Sequence, residues 1–156
     1  MFTHQRVSRR FAGHRPEEGV WLNDANVLVS GMMTKRGTCA LILDLLSENR
    51  LVAAFDDRLM TEYRRVCAEP RLHLDAGAVR DFLHFLNDCA EAVTAMPLDA
   101  ALPDPDDLPF LEVAAEAHAV LVTGNKKHFP RRAVGAVHAV SPREFLDMLR
   151  LPHPRS

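Results

Sequence analysis

The chain has 156 residues, 47% of them apolar and 26% charged, which is the length of one domain with an ordinary globular composition. Bulk disorder is excluded, and no apolar run approaches the roughly 18 residues that a membrane span needs. A formal net charge of -2 excludes a simple electrostatic case for nucleic-acid binding, so the local distribution of charge carries the information.

Residues 1–18 lack apolar periodicity and carry Arg6, Arg9, Arg10 and Arg15, so they are expected to form a flexible arm. No apolar segment follows those charges in the manner of a secretory signal. Val20, Trp21 and Leu22 form a short buried-strand pattern stopped by Asn23 and Asp24, and residues 26–30 lead into a helix. Residues 38–48 place Ala40, Leu41, Leu45 and Leu46 on one helical stripe. Residues 51–55 form a second continuous apolar strand. Asp57 is the expected N-cap of a helix over 58–68, which Pro70 ends.

A further amphipathic helix is expected over 76–90, a weak strand over 92–96, a Pro/Asp-rich loop over 97–106 and a helix over 107–117. Residues 120–123 form a fourth strand ending at Gly124 and Asn125, and residues 136–140 a fifth. Ser141, Pro142 and Glu144 then open a helix as a capping box. Short apolar strands alternating with helices predict one three-layer α/β/α domain over residues 19–151, with a central, mainly parallel sheet of four to five strands and a short tail over 152–156.

Open parallel sheets bind ligands at the carboxyl ends of their strands. Asp24 ends the first predicted strand, Asp56 and Asp57 the second, and Thr123 and Asn125 the fourth; Glu62 and Asp107 lie on the helices that follow. Clustered carboxylates repel unless a cation sits among them, and oxygen donors suit Mg²⁺ or Mn²⁺. Taken singly, each residue has a plainer role. Asp24 can cap a helix, Glu62 can pair with Arg65 or Arg58, Asp107 can answer a helix dipole, and Asn125 can supply a left-handed turn.

Cys39, Cys67 and Cys89 are odd in number and sit in helical patterns, so they are expected to be buried thiols in a reducing cytoplasm. None of the eight histidines has zinc-ligand spacing. The run 126–132, with Lys126, Lys127, Arg131 and Arg132, is a candidate phosphate grip beside the acids.

The segment LNDANVLVS at 22–30 resembles the opening signature of the PIN-domain family. Glu62 in LMTEYRRV resembles that family's mid-chain acidic helix position. DPDDLPFLEVA at 104–114 and LVTGNKKHF at 121–129 resemble its second acidic helix and its strand end. SPREFLDML at 141–149 is similar to the closing helix of the VapC-like toxins of toxin–antitoxin pairs.

The resemblance implies a Mg²⁺- or Mn²⁺-dependent endoribonuclease acting on single-stranded RNA, with Asp24, Glu62 and Asp107 as catalytic acids and metal ligands. Asn125 would be a fourth ligand. Asn26, Ser30 and Thr123 would be supporting polar residues, with Asp104 and Asp106 as reserve acids. It also implies a small antitoxin partner and a homodimer. The chain departs from the family pattern at Asn125 and Lys127, where acids are common. That departure favours a second reading, a catalytically weak RNA- or protein-binding module. A third, a phosphohydrolase with Asp24 as nucleophile, needs a second Asp where Asn26 stands.

Overall fold

A computed structural model of the chain describes residues 20–149; the arm expected over 1–18 and the tail expected over 152–156 lie outside them. Five parallel strands form one sheet: β1 (Val20–Asn23), β2 (Val52–Phe55), β3 (Glu91–Ala92), β4 (Val120–Val122) and β5 (Ala139–Val140). Their order is β3-β2-β1-β4-β5, with Trp21 opposite Ala53 on one side and Val120 on the other. β2 is buried along its whole length, as its uninterrupted apolar sequence requires.

The helices are α1 (Ala25–Met33), α2 (Thr38–Ser47), α3 (Asp57–Cys67), α4 (Ala76–Cys89), α5 (Leu108–Ala117), α6 (Arg131–Val134) and α7 (Pro142–Met148). The chain moves outward from β1 through β2 to β3, then returns through α5 to β4 and continues to β5. Right-handed crossovers of opposite direction put α5 and α6 on the other face of the sheet from α1 and α2, while α3 packs against both α1 and α5. The result is the expected α/β/α layering. Trp21 is fully buried at its centre, with its ring centroid 5.1 Å from that of Phe145 in α7.

Several boundaries differ from the sequence expectation. Asp56, not Asp57, caps α3: Asp56 is extended and its Oδ1 accepts from Leu59 N at 3.0 Å, while Asp57 is the first helical residue. The third strand is only Glu91–Ala92, because after Val93 N donates to Phe55 O the segment runs out along the sheet edge, where Met96 is exposed. The fifth strand starts late because Gly135 turns the chain at φ 62° and Val137 N closes back on Val134 O. Asn125 is extended, at φ −143°, rather than left-handed. The capping box at Ser141 and Glu144 is present as expected.

Gly31 sets the approach of α1 to α2. A Cβ there would lie 2.5 Å from Leu43 Cδ1 and 2.9 Å from the carbonyl oxygen of Cys39, and the latter is backbone that cannot step aside. Gly31→Ala is therefore expected to destabilise by about 1–2 kcal/mol, overpacking of about 1–3 kcal/mol outweighing a helix-propensity gain of up to about 1 kcal/mol. Chemical denaturation measures it; an unchanged or increased stability contradicts this packing.

Candidate functional site

The strand order reverses its sequence sense between β1 and β4, so the crevice at their carboxyl ends is the place where a ligand is expected. Asp24 and Thr123 are the residues that end these two strands. Asp24 N donates to Val122 O at 3.0 Å, which ties the exit of β1 to β4. The Asp24 carboxylate caps α1, its Oδ1 accepting from Val27 N at 3.0 Å. Its Oδ2 accepts from the Thr123 hydroxyl at 2.6 Å. Thr123 is fully buried, and its oxygen also accepts from Asn125 N at 3.1 Å. Capping and site geometry are thus two roles of one side chain.

Asp107 reaches the same region from the 3-10 turn Pro105–Asp107 ahead of α5. It occupies the N-cap position of that helix yet makes no capping hydrogen bond. Its Oδ2 is buried and faces His128, whose Nδ1 lies 3.0 Å away. Burial raises the pKa of both carboxyls above the usual value. At Asp24 the Thr123 and backbone hydrogen bonds partly offset it. At Asp107 the neighbouring His128 offsets it, while Asp104 and Asp24 push it further up. A buried carboxyl, Asp24, and a half-buried one, Asp107, whose pKa the first raises, form a donor set that fits a hard divalent cation.

The other expected ligands point elsewhere. Glu62 is held by Arg65 in a two-point ion pair, Nε to Oε1 at 2.9 Å and Nη2 to Oε2 at 2.7 Å. It lines a separate cleft of about 520 Å³ with Arg58, Arg65 and Asp106. The Asn125 side chain folds back to accept from Lys127 N at 3.1 Å. For these reasons no three His, Cys, Asp or Glu side chains among the described residues converge closely enough to hold a metal. The acids fall into two groups: Asp24 with Asp107, and Glu62 with Asp106.

The remaining expected residues take simple positions. Asp104 caps its own turn, Oδ1 accepting from Asp106 N at 2.9 Å. Asn26 is exposed beside Gly124, and Ser30 is exposed about one turn further along α1. Lys126 is tied to Glu144 of α7 at 3.0 Å, which removes it from the free cations of the basic run. Lys127, Arg131 and Arg132 are exposed.

Two residues escaped the sequence reading. His128 reads in sequence only as part of the basic run without zinc-ligand spacing, although it lies one 3-10 turn beyond Asn125 and so travels with the same strand end. Glu112 gave no signal, being a charged residue in an apolar helix pattern. It is buried and accepts from Arg58 Nη1 at 2.6 Å and from Leu98 N at 2.9 Å. Arg58 also donates to Asp56 Oδ2 at 2.8 Å. This bridge fixes α3, which carries Glu62, to α5, which follows Asp107. Tyr63 and Phe110, with ring centroids 6.1 Å apart, pack the same pair of helices.

The fold and the crevice thus define a small α/β protein with paired acids at the switch point of a parallel sheet. A family model for the PIN domain matches residues 21–127, more than half of the chain, and the chain belongs to the PIN-domain family. It is also similar to the uncharacterized protein MJ1680 of Methanocaldococcus jannaschii, 25% identical over 135 residues that cover 80% of this chain and 87% of that one. PIN domains have a nuclease-like fold, and their members are typically metal-dependent ribonucleases. No helix among the described residues is long and apolar enough to cross a membrane.

Proposed function

We propose that the chain is a Mg²⁺- or Mn²⁺-dependent endoribonuclease acting on single-stranded RNA, with Asp24 and Asp107 as the residues that first hold the ion. The observation that carries this reading is the pair itself: two carboxyls with raised pKa at the β1/β4 switch point, Asp24 buried and Asp107 half-buried beside His128. A bound divalent ion supplies an acidified water and neutralises charge on the scissile phosphate.

The protein's own groups set the rest. Thr123 fixes the Asp24 carboxylate through its 2.6 Å hydrogen bond. Glu62 joins as a third acid on release from Arg65. Their ion pair is substantially exposed, and pairs of that kind contribute only about 0–1 kcal/mol, so release is cheap against gaining a cation. Lys127, Arg131 and Arg132 contact the RNA backbone, giving sequence-independent and salt-sensitive affinity. His128 stands against Asp107 and takes the corner assigned in sequence to Asn125, whose side chain is committed to its own turn.

The nuclease unit spans residues 19–151. Its proposed setting is the cytoplasm, as the toxin of a toxin–antitoxin pair held in check by a small antitoxin and acting as a homodimer; the similarity of residues 141–149 to the closing helix of such toxins supports this. A short DNA-binding protein encoded alongside is the expected finding, and an isolated gene argues against it.

The deciding experiment incubates the purified protein with single-stranded RNA and Mn²⁺, beside an Asp24→Asn control. Cleavage by the parent alone is expected; equal cleavage by both, or by neither, overturns the assignment. Glu62 locked by Arg65 and the uncharged Asn125 favour the second reading, a weakly catalytic binding module. Arg65→Ala separates the two. Under the nuclease reading it frees Glu62 and tightens Mn²⁺ binding, whereas under the binding-module reading it leaves metal affinity unchanged.

A further inference from the structure

A cavity of about 570 Å³ lies between the C-terminal end of α3, the turn Pro70–Leu72 and α4 from Ala76 to Asn87. It is within the size range of pockets that hold an ordered ligand. Cys67, Leu74, Val79 and Leu83 supply its apolar lining, with Cys67 and Leu83 buried. Arg64 on α3 and Arg80 on α4 stand at its exposed rim. Neither arginine has a carboxylate within ion-pair distance among the described residues. The acid that shares the cavity, Glu69, is already taken by Arg71 Nε at 2.7 Å. Arg64 is two residues from Glu62, a turn of about 200° around the helix, so this cavity and the Glu62 cleft lie on opposite sides of α3.

We propose that this cavity docks an acidic amphipathic segment of a partner protein, apolar side chains entering between α3 and α4 and flanking carboxylates pairing with Arg64 and Arg80. Charge complementarity selects the occupant. The chain's own N-terminal residues carry Arg6, Arg9, Arg10 and Arg15 against Glu17 and Glu18, and its last seven residues carry Arg150 and Arg155 and no acidic side chain, so both have the wrong sign. RNA has the right sign but the wrong partner surface. Apart from the imidazoles of His73 and His84, no aromatic ring lines the cavity, and single-stranded bases are held chiefly by stacking on such rings. An aliphatic floor between two unpaired guanidinium groups suits leucine-like anchors flanked by glutamate or aspartate. The site is independent of the nuclease reading, since none of its residues belongs to the crevice at β1 and β4.

The test is fluorescence anisotropy with three labelled probes: an amphipathic helical peptide with leucines on one face and glutamates on the other, the same peptide with lysines for glutamates, and an oligouridylate. The parent protein is compared with the Arg64→Glu/Arg80→Glu double variant, whose fold is checked by circular dichroism; both positions are exposed, so the fold is expected to survive. The glutamate peptide is expected to bind the parent and to lose at least about tenfold in affinity to the double variant, which gains the lysine peptide in exchange. Three outcomes overturn the proposal: no binding of the glutamate peptide, its equal binding to both proteins, or an oligouridylate bound more tightly through the same two arginines. Self-association of the parent that the double variant abolishes overturns it in favour of a second copy.

Discussion

Asp24→Asn is expected to abolish Mn²⁺-dependent RNA cleavage while leaving the metal-free protein as stable as the parent or more so. The loss is set to exceed about 100-fold, because removal of outer partners of a metal ligand alone costs about 10–100-fold. The stability half follows from the same geometry. An asparagine keeps an oxygen for Val27 N and presents an amide to Thr123, whose hydroxyl can turn to the Asn125 carbonyl 3.3 Å away. What disappears is a carboxylate whose ionisation burial opposes.

The sign of the pH dependence is fixed by that burial. Both Asp24 and Asp107 have folded pKa values raised above their ordinary 3.8. Their contribution to stability is fully present below that value and is lost as pH rises through the raised folded values. The metal-free parent therefore gains from these two groups on mild acidification, and Asp24→Asn flattens the profile. Mn²⁺ reverses the balance near neutral pH, where a hundredfold excess over Kd adds about 2.7 kcal/mol. For a domain of this size that is a rise of roughly 5–10 °C in Tm. Thermal melts against pH, with and without Mn²⁺, read all three effects. A melting temperature that falls sharply in metal-free Asp24→Asn contradicts the account.

Glu112→Ala is the second large effect, and it acts on stability and on the site together. It removes a charge-assisted acceptor from Arg58 and leaves Leu98 N without its partner. Because Arg58 is about half exposed and keeps Asp56, no charge is stranded in the interior. The expected loss is therefore about 2 kcal/mol rather than the larger cost of breaking a fully buried pair. Glu112→Gln, which retains an acceptor, is expected to lose about half as much. Since the bridge joins α3 to α5, Mn²⁺ affinity is expected to weaken in Glu112→Ala even at temperatures where the fold is intact. Urea denaturation measures the first effect and metal titration the second; unchanged values for both contradict the bridging role.

These two residues mark what the sequence can and cannot tell. Asp24 was legible because a strand pattern ends on it and a helix pattern begins after it, both local signals. Thr123 was legible for the same reason at the end of β4. The Ser141 capping box is likewise local and was found to the residue. Glu112 was not legible, because its partner Arg58 is 54 positions away and nothing in an apolar helix pattern forecasts a buried acid. Asp56 and Asp57 are adjacent acids with equal capping chemistry, so only backbone geometry chooses between them.

The candidate site divides in the same way. Sequence placed Asp24, Glu62, Asp107 and Asn125 on one sheet edge, because the elements that carry them follow the carboxyl ends of the strands. Side-chain direction then separates them. Arg65 one helical turn along draws Glu62 into its own cleft, and the amide of Asn125 turns to Lys127 N. The 3-10 turn before α5 decides which acid of the run 104–107 faces the crevice. Asp104 is spent on capping, Asp106 points to the Glu62 cleft, and Asp107 faces Asp24. No spacing rule resolves neighbours in such a tight turn.

The most direct measurement is calorimetric titration of Mn²⁺ into the parent protein, Asp24→Asn and Asp107→Asn. Saturable binding to the parent that is lost in both variants is the predicted result. Binding that survives both substitutions, or no binding to the parent, contradicts a cation site built on these two carboxylates.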